Sequence, residues 1–541
     1  MGNLASARKR VDALFRLSSL GFIGRAQAFR MPSEMARRVK LLHPAVLNSV
    51  SAIERNPSMK NHCPETRCYC RREFLQTLGF VAAGLPLFRT DLIASDATTN
   101  IPGRKKPRPQ VLGAFIYPPT ESLRKAGYWS WPGSGFDAEG RHKQYAGKLP
   151  QLAQALDLNL ALEEKPLDDA AGVTAFIARA RASKPDGLIL APFKKGHWSA
   201  VVRIVEETRL PTLVLASLGV VLSDQIVQLH RRTGVYLISS ADDFGPVLSG
   251  LNMIRTARWM SDARLLNIKG ASRTSTSVPS LGTEICTIPH GRFVDEFKRQ
   301  DADAAVRAVA ADYRKRARQI IGPTAADILE AAKAYAVLKR LLVAEEADAL
   351  MMECLAGLAI PHQHVPPCLG FMSLRDEGIA AGCQADLNPA LTLMLVQQLF
   401  DKPGFQQNAA MNTARNLYFG SHCTAPSKMR GRSARPEHYT LHDHAEAGWG
   451  CVPRVLFTPG QEVTMALYQS GQQPQMVIYT GRIVDCPPIP PTGGCRSNLQ
   501  MTINELSDVC DVKGMHQIIF YGNHGAELRA FCQLYGVQAM T

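Results

Sequence analysis

Three short, unbroken apolar runs, at 111–117, 186–192 and 210–216, constrain this chain more than any other feature. Val111-Leu112-Gly113-Ala114-Phe115-Ile116-Tyr117 and its two counterparts lack the in/out alternation of a half-exposed strand, so each reads as a strand covered on both faces. Helical patterns fall between them at 149–156 and 168–182. Buried strands alternating with helices make a parallel sheet with helices on either side. An open α/β layer domain is therefore expected over 108–260, after a Pro/Lys/Arg linker at 101–110.

A charged, alanine-rich helical region follows at 301–346, broken by Gly322-Pro323, then an apolar run Ala349-Leu350-Met351-Met352, an apolar stretch at 369–372 and a helix at 391–400. These predict a second α/β domain over 261–430. Beyond it the runs at 452–457, 462–467 and 475–483 are short, β-rich and separated by Pro/Gly turns, with a closing helix at 528–534. The expected fold class is α/β: two open parallel-sheet α/β layer domains followed by a β-rich C-terminal domain over 431–541. A length of 541 residues suits about three to four domains.

Lys and Arg exceed Asp and Glu by 15, which invites a nucleic-acid or membrane-surface partner. The excess is uneven. Residues 1–97 carry 15 Lys/Arg against 7 Asp/Glu, which leaves a net +7 for the other 444. With no basic stripe interleaved with aromatics, nucleic acid is not an expected partner. No apolar run reaches the ~18–20 residues of a bilayer span, so stable membrane insertion is not expected either.

The N-terminal charge surrounds Cys70-Arg71-Arg72-Glu73-Phe74-Leu75-Gln76, an apolar stretch at 78–88 and a polar exit at Ser95-Asp96-Ala97. Twin arginines, Phe-Leu, a modest apolar core and small residues are the parts of a twin-arginine signal peptide. Cys70 stands where Ser or Thr is usual, and Gln76 where Lys is usual. With Met59 as the start, 59–97 would be the signal and 1–58 a disordered basic leader or a misassigned start. The expectation is export to the periplasm by the twin-arginine translocation machinery, with the chain already folded. Ten cysteines lie between Cys286 and Cys532 without a Cys-x-x-Cys pair, which excludes a zinc ribbon or thioredoxin motif. A disulfide such as Cys486–Cys495 is chemically allowed after export.

Polar residues that could carry chemistry collect late in the chain. Gly378-Ile379-Ala380-Ala381-Gly382-Cys383-Gln384-Ala385-Asp386 ends an apolar run, with Asp376 and Glu377 just before it. Gly420-Ser421-His422-Cys423, the trio His438, His442 and His444, and Gly522-Asn523-His524 follow. Ligands of α/β folds collect at the carboxyl ends of strands, and histidine serves as metal ligand or acid/base group. There is no Gly-rich phosphate loop and no Gly-x-Ser-x-Gly elbow.

In order and spacing, the block at 378–386 with its following helix, Gly-Ser-His-Cys and the late Gly-Asn-His resemble the L-fucose/L-arabinose isomerase superfamily. The likeness runs from about 347 to the C-terminus. It implies a metal-dependent aldose–ketose isomerase acting on a small sugar, a divalent cation (commonly Mn²⁺), and a homotrimer or homohexamer. Its metal site maps onto Gln384, Asn408, His422 and His524. The catalytic acid/base positions map onto Gln384 and Asn408, with Asp386 beside them as a helix cap or an orienting group. Both ligand carboxylates have become amides, which bring no charge and accept no proton at neutral pH. The expectation is an exported isomerase-like protein with an altered metal site, in which another carboxylate, among Asp386, Glu377 and Asp376, would have to serve as base. The alternative is a non-catalytic relative that binds a carbohydrate in the same cleft.

Overall fold

Val111, Phe115, Ile116, Leu188, Ile189, Leu190, Leu213 and Val214 are each at most 2% exposed, as strands buried on both faces must be. At ~1.5–3 kcal/mol for each large side chain taken out of water, these runs alone supply a strong drive to form one layer. The computed structural model describes residues 106–541 apart from Ser130, 359–361 and 489–493. The twin-arginine motif and the leader before it lie outside the described residues.

The first layer runs β1 (Gln110–Ile116), α1 (Thr120–Ala126), α2 (Ala138–Ala155), β2 (Asn159–Leu162), α3 (Ala170–Ser183), β3 (Gly187–Pro192), α4 (Trp198–Thr208), β4 (Thr212–Ser217), α5 (Ser223–Leu229), β5 (Val235–Ser240) and α6 (Gly245–Asp262). Its sheet is wholly parallel in the order β2-β1-β3-β4-β5. Two of its helices start on aspartates: Asp137 accepts from Gly140 N at 2.8 Å and Asp169 from Gly172 N at 2.7 Å. Each satisfies an amide that a helix start leaves without a partner.

The second layer holds β6 (Arg264–Ile268), β7 (Thr274–Ser277), β8 (Glu284–Ile288), α7 (His290–Arg299), α8 (Ala304–Arg316), β9 (Ile320–Ile321), α9 (Ala325–Ala344), β10 (Ala349–Met352), α10 (Cys368–Asp376), β11 (Ala381–Cys383) and α11 (Leu387–Phe400). Its sheet order is β11-β10-β6-β8-β7, parallel except for the exposed Thr/Ser edge strand β7. Helix α11 is apolar almost all round, which marks an element buried on every side. It does pack on several partners at once. Thr392 Oγ1 accepts from Tyr468 N at 2.8 Å, and Asn252 Nδ2 on α6 donates to Leu399 O at 2.8 Å.

The rest is β-rich: β12 (Phe405–Gln406), β13 (Asn408–Asn412), β14 (Leu417–His422), β15 (His438–His442), β16 (Val452–Leu456), β17 (Glu462–Gln469), β18 (Gln475–Asp485), β19 (Ser497–Ile503), β20 (Ile518–Tyr521), α12 (Gly525–Tyr535) and β21 (Gln538–Met540). Seven strands form an antiparallel sheet in the order β12-β20-β17-β18-β19-β14-β13, with β21 added parallel to β18. Strands β16, β15 and β9 make a separate three-stranded sheet. The expected fold class is the observed one: two parallel α/β layers and a β-rich C-terminal part.

The β-rich part begins ahead of the expected boundary at 430/431. The antiparallel sheet already takes in β12–β14 from Phe405, and β9 from the helical region joins β15. These strands are two to six residues long, and β13 is Asn-Ala-Ala-Met-Asn, too short and too weakly patterned to declare themselves. One apolar cluster runs from Phe115 and Leu251 through Leu265 and Met394 to Phe520 and Leu534, so all three parts share core.

Candidate functional site

Strand β11 ends at Cys383, and the chain turns through Gln384 (φ 59°) and Ala385 (φ 48°) into α11. Two successive L-residues in the left-handed region are costly, at about 1–3 kcal/mol each, and such outliers point to a functional constraint. The turn is held from both sides. Ala385 N donates to Met352 O at 2.8 Å, and Cys383 N donates to Oε1 of the fully buried Gln406 at 2.9 Å. Gln384 therefore stands at the carboxyl end of a parallel strand, where ligand crevices form.

Asp386 occupies the N-cap position of α11 but makes no side-chain cap bond. Its Oδ2 instead accepts from Nδ1–H of His516 at 2.8 Å. His516 also has a left-handed backbone, at φ 59°. With the proton on Nδ1, Nε2 of a neutral His516 is left as an acceptor.

The His516 ring meets the His422 ring edge-on at 5.8 Å between centroids. His422 ends β14 and is 3% exposed. Its Nδ1 accepts from Cys423 N at 3.0 Å, so the neutral ring carries its proton on Nε2, and that buried atom has no partner. Burial, then the nearby Arg375, His516 and His444, push its pKa down to about 3. No carboxylate is among those influences.

Arg375 is itself buried and donates to Ala381 O at 2.9 and 2.6 Å, leaving Nη1 without a hydrogen bond. Across the sheet, Ser421 stands in register with Asn408 on β13 and with Asn498 on β19. Neither side-chain polar atom of the buried Asn498 has a partner. Asn408, Ser421 and Asn498 are directly opposite one another and so share one face of the sheet, the reverse of the face that carries His422.

His524 does not join this group. It caps α12 beyond the far end of β20, whereas His516 precedes that strand. Its ring stacks on Phe400 at 4.3 Å and on Phe520 at 5.8 Å. Phe400 closes α11 and Asp386 opens it, so His524 and Asp386 are separated by a helix of 14 residues, ~20 Å. The expected pairing of His422 with His524 is replaced by His422 with His516.

The other expected carboxylates are also engaged elsewhere. Asp376, lifted by burial to about 6, accepts from Ser427 Oγ and, at 2.8 Å, from Lys428 N. Glu377 bonds Tyr335 and Lys339. Of the remaining histidines, His442 Nε2 lies 2.9 Å from Thr440 Oγ1, and His444 Nδ1 accepts from Ala447 N at 3.2 Å.

These donors fit a Mn²⁺ site poorly. His422 presents N–H rather than a lone pair, the Arg375 guanidinium lies near it, His524 is remote, and Asp386 already holds His516. They fit a neutral, hydroxyl-rich ligand better, since the His422 Nε2–H can donate and His516 Nε2 can accept. His516 is not expected from the sequence. His516 directly follows Lys513-Gly514-Met515 at the entry to an apolar run, a loop-to-strand position where a polar residue carries weak signal.

No protein-family model matches the chain, and no curated protein matches it. Among solved structures, a solute-binding protein of an ABC transporter from Burkholderia multivorans, carrying an unknown ligand interpreted as α-D-erythrofuranose, is 13% identical. The match covers 46% of this chain and 80% of that one at a TM-score of 0.16, too slight to bear on this chain's activity.

Proposed function

We propose that the chain binds a neutral carbohydrate in the crevice at the carboxyl end of β11, as a relative of the sugar isomerases that has lost isomerase activity. The observation that carries this reading is the buried, unpartnered Nε2–H of His422 beside the His516–Asp386 pair. A sugar hydroxyl can accept from His422 and donate to His516 at once. Gln384, two residues before Asp386, adds a neutral hydrogen-bonding group where a cation would require charge. A bound sugar stabilises the folded chain by mass action, so pentoses and deoxyhexoses should raise the melting temperature. His516→Ala should abolish that rise. A screen in which no sugar shifts the wild-type chain would sink the proposal.

A second reading keeps the isomerase, because Asp386 orients His516 as a catalytic base would be oriented. It separates from the first on restoring the carboxylates. Gln384→Glu with Asn408→Asp should tighten Mn²⁺ binding, and unchanged affinity would mean that the two amides do not face one site. Twin-arginine export to the periplasm and a homotrimer or homohexamer belong to the same proposal. Cell fractionation and sedimentation respectively test them.

A further inference from the structure

Next to His422, the sheet register brings together two cysteines distant in sequence. His422 pairs with Ser497, so the residue after β14 and the residues before β19 are neighbours. Cys423 S–H lies 3.5 Å from Cys495 Sγ. The loop after β15 adds Glu446, one of whose carboxylate oxygens lies within 4.8 Å of both sulfurs. That loop is fixed by its own turn, in which His444 N donates to Trp449 O at 3.1 Å and Gly448 N to His444 O at 2.8 Å.

We propose that Cys423, Cys495 and Glu446 bind a thiophilic divalent cation of the Zn²⁺ class. Two sulfurs on one tetrahedral zinc, each at ~2.3 Å, stand ~3.8 Å apart. The observed 3.5 Å needs only a small expansion to admit the ion, whereas a disulfide needs a contraction to ~2.05 Å. The remaining coordination position is open to water, as in zinc sites with three protein ligands. Charge points the same way. The neighbouring cation, Arg496, is already committed to Asp443 through Nη2–Oδ1 at 2.7 Å and Nε–O at 3.0 Å. Cys423 is buried and Cys495 partly buried, with apolar Val452 beside them, so the sulfurs are shielded while Glu446 reaches solvent. Cys486 and Cys495, whose pairing the sequence allows, are not joined. Cys486 Sγ donates to Phe457 O at 3.4 Å, and Cys495 faces Cys423 instead.

Titration of the reduced, metal-free full chain with Cd²⁺, read through the thiolate-to-cadmium charge-transfer band, tests the site. The chain should carry Cys510→Ser, which removes the exposed thiol among the described residues, together with Cys63→Ser, Cys68→Ser and Cys70→Ser in the N-terminal segment. The expected result is saturation at one ion per chain, a band lost in Cys423→Ser/Cys495→Ser, and affinity lowered at least about tenfold in Glu446→Gln. Because Glu446 is exposed, its variant leaves folding intact and keeps the test decisive even if the cysteine variants fail to fold. Binding that ignores Glu446→Gln would overturn the proposal, as would a thiol count on the unreduced chain that finds Cys423 and Cys495 joined.

Discussion

His444 and His364 are 1% and 2% exposed, and burial pushes each down to about 4. An unfolded histidine titrates near ~6.5. Between those values the unfolded chain takes up protons that the folded chain refuses, so stability falls as pH drops from about 6.5 towards 4. Each such group contributes at most ~1.4 kcal/mol per pH unit. The urea midpoint should therefore decline between about pH 7 and pH 5. His444→Gln should flatten that decline, and an unchanged slope would mean that His444 is protonated in the folded chain. A different residue-scale test concerns the left-handed Ala385. Ala385→Gly should stabilise by about 0.5–1 kcal/mol, since only glycine takes that conformation without steric cost. The same change at Gln384 should also relieve strain yet weaken sugar binding, which would show what the strain is for.

At the scale of elements, the β11 turn depends on Gln406. Its amide bridges Cys383 N at 2.9 Å and Cys383 O at 3.4 Å from a fully buried position. Gln406→Leu leaves the Cys383 amide without a partner and should cost about 1–3 kcal/mol, read as a lower denaturant midpoint, with sugar binding lost as Gln384 moves. By contrast, Thr324 opens α9 with a reciprocal cap to Asp327, and Thr324→Ala should cost about 1 kcal/mol without touching the site. Elements such as β1, β3, β4 and α11 are readable in the letters because unbroken apolar runs leave one physical option. Strands β12–β14 are not, because short polar strands draw their stability from neighbours that sequence does not name. The site follows the same divide. Gln384 and Asp386 sit in a polar block that stands out at the end of an apolar stretch, whereas His516 reaches them only through the pairing of β20 with β12 and β17. The Gly-Asn-His signal points to His524, which lies eight residues further along the chain and on the wrong end of β20.

Across the whole molecule, the C-terminal segment returns to the first layer. Gly234 N donates to Gln533 O at 2.9 Å, and Gln533 Nε2 donates to His230 O at 2.9 Å and Val235 O at 2.7 Å. Among the described residues no helix is long and apolar enough to cross a membrane. Deleting 525–541 strips α12 and β21 from both β5 and β18, and limited proteolysis should then cut near 230–235, a site protected in the full chain. Intact protection in the truncated chain would refute that dependence. The return also sets an order of events during synthesis. The loop entering β5 is translated some three hundred residues before Gln533, the residue that satisfies it. The earliest layer therefore waits through some three hundred residues of synthesis for its last partner, so its closing step is neither local nor early.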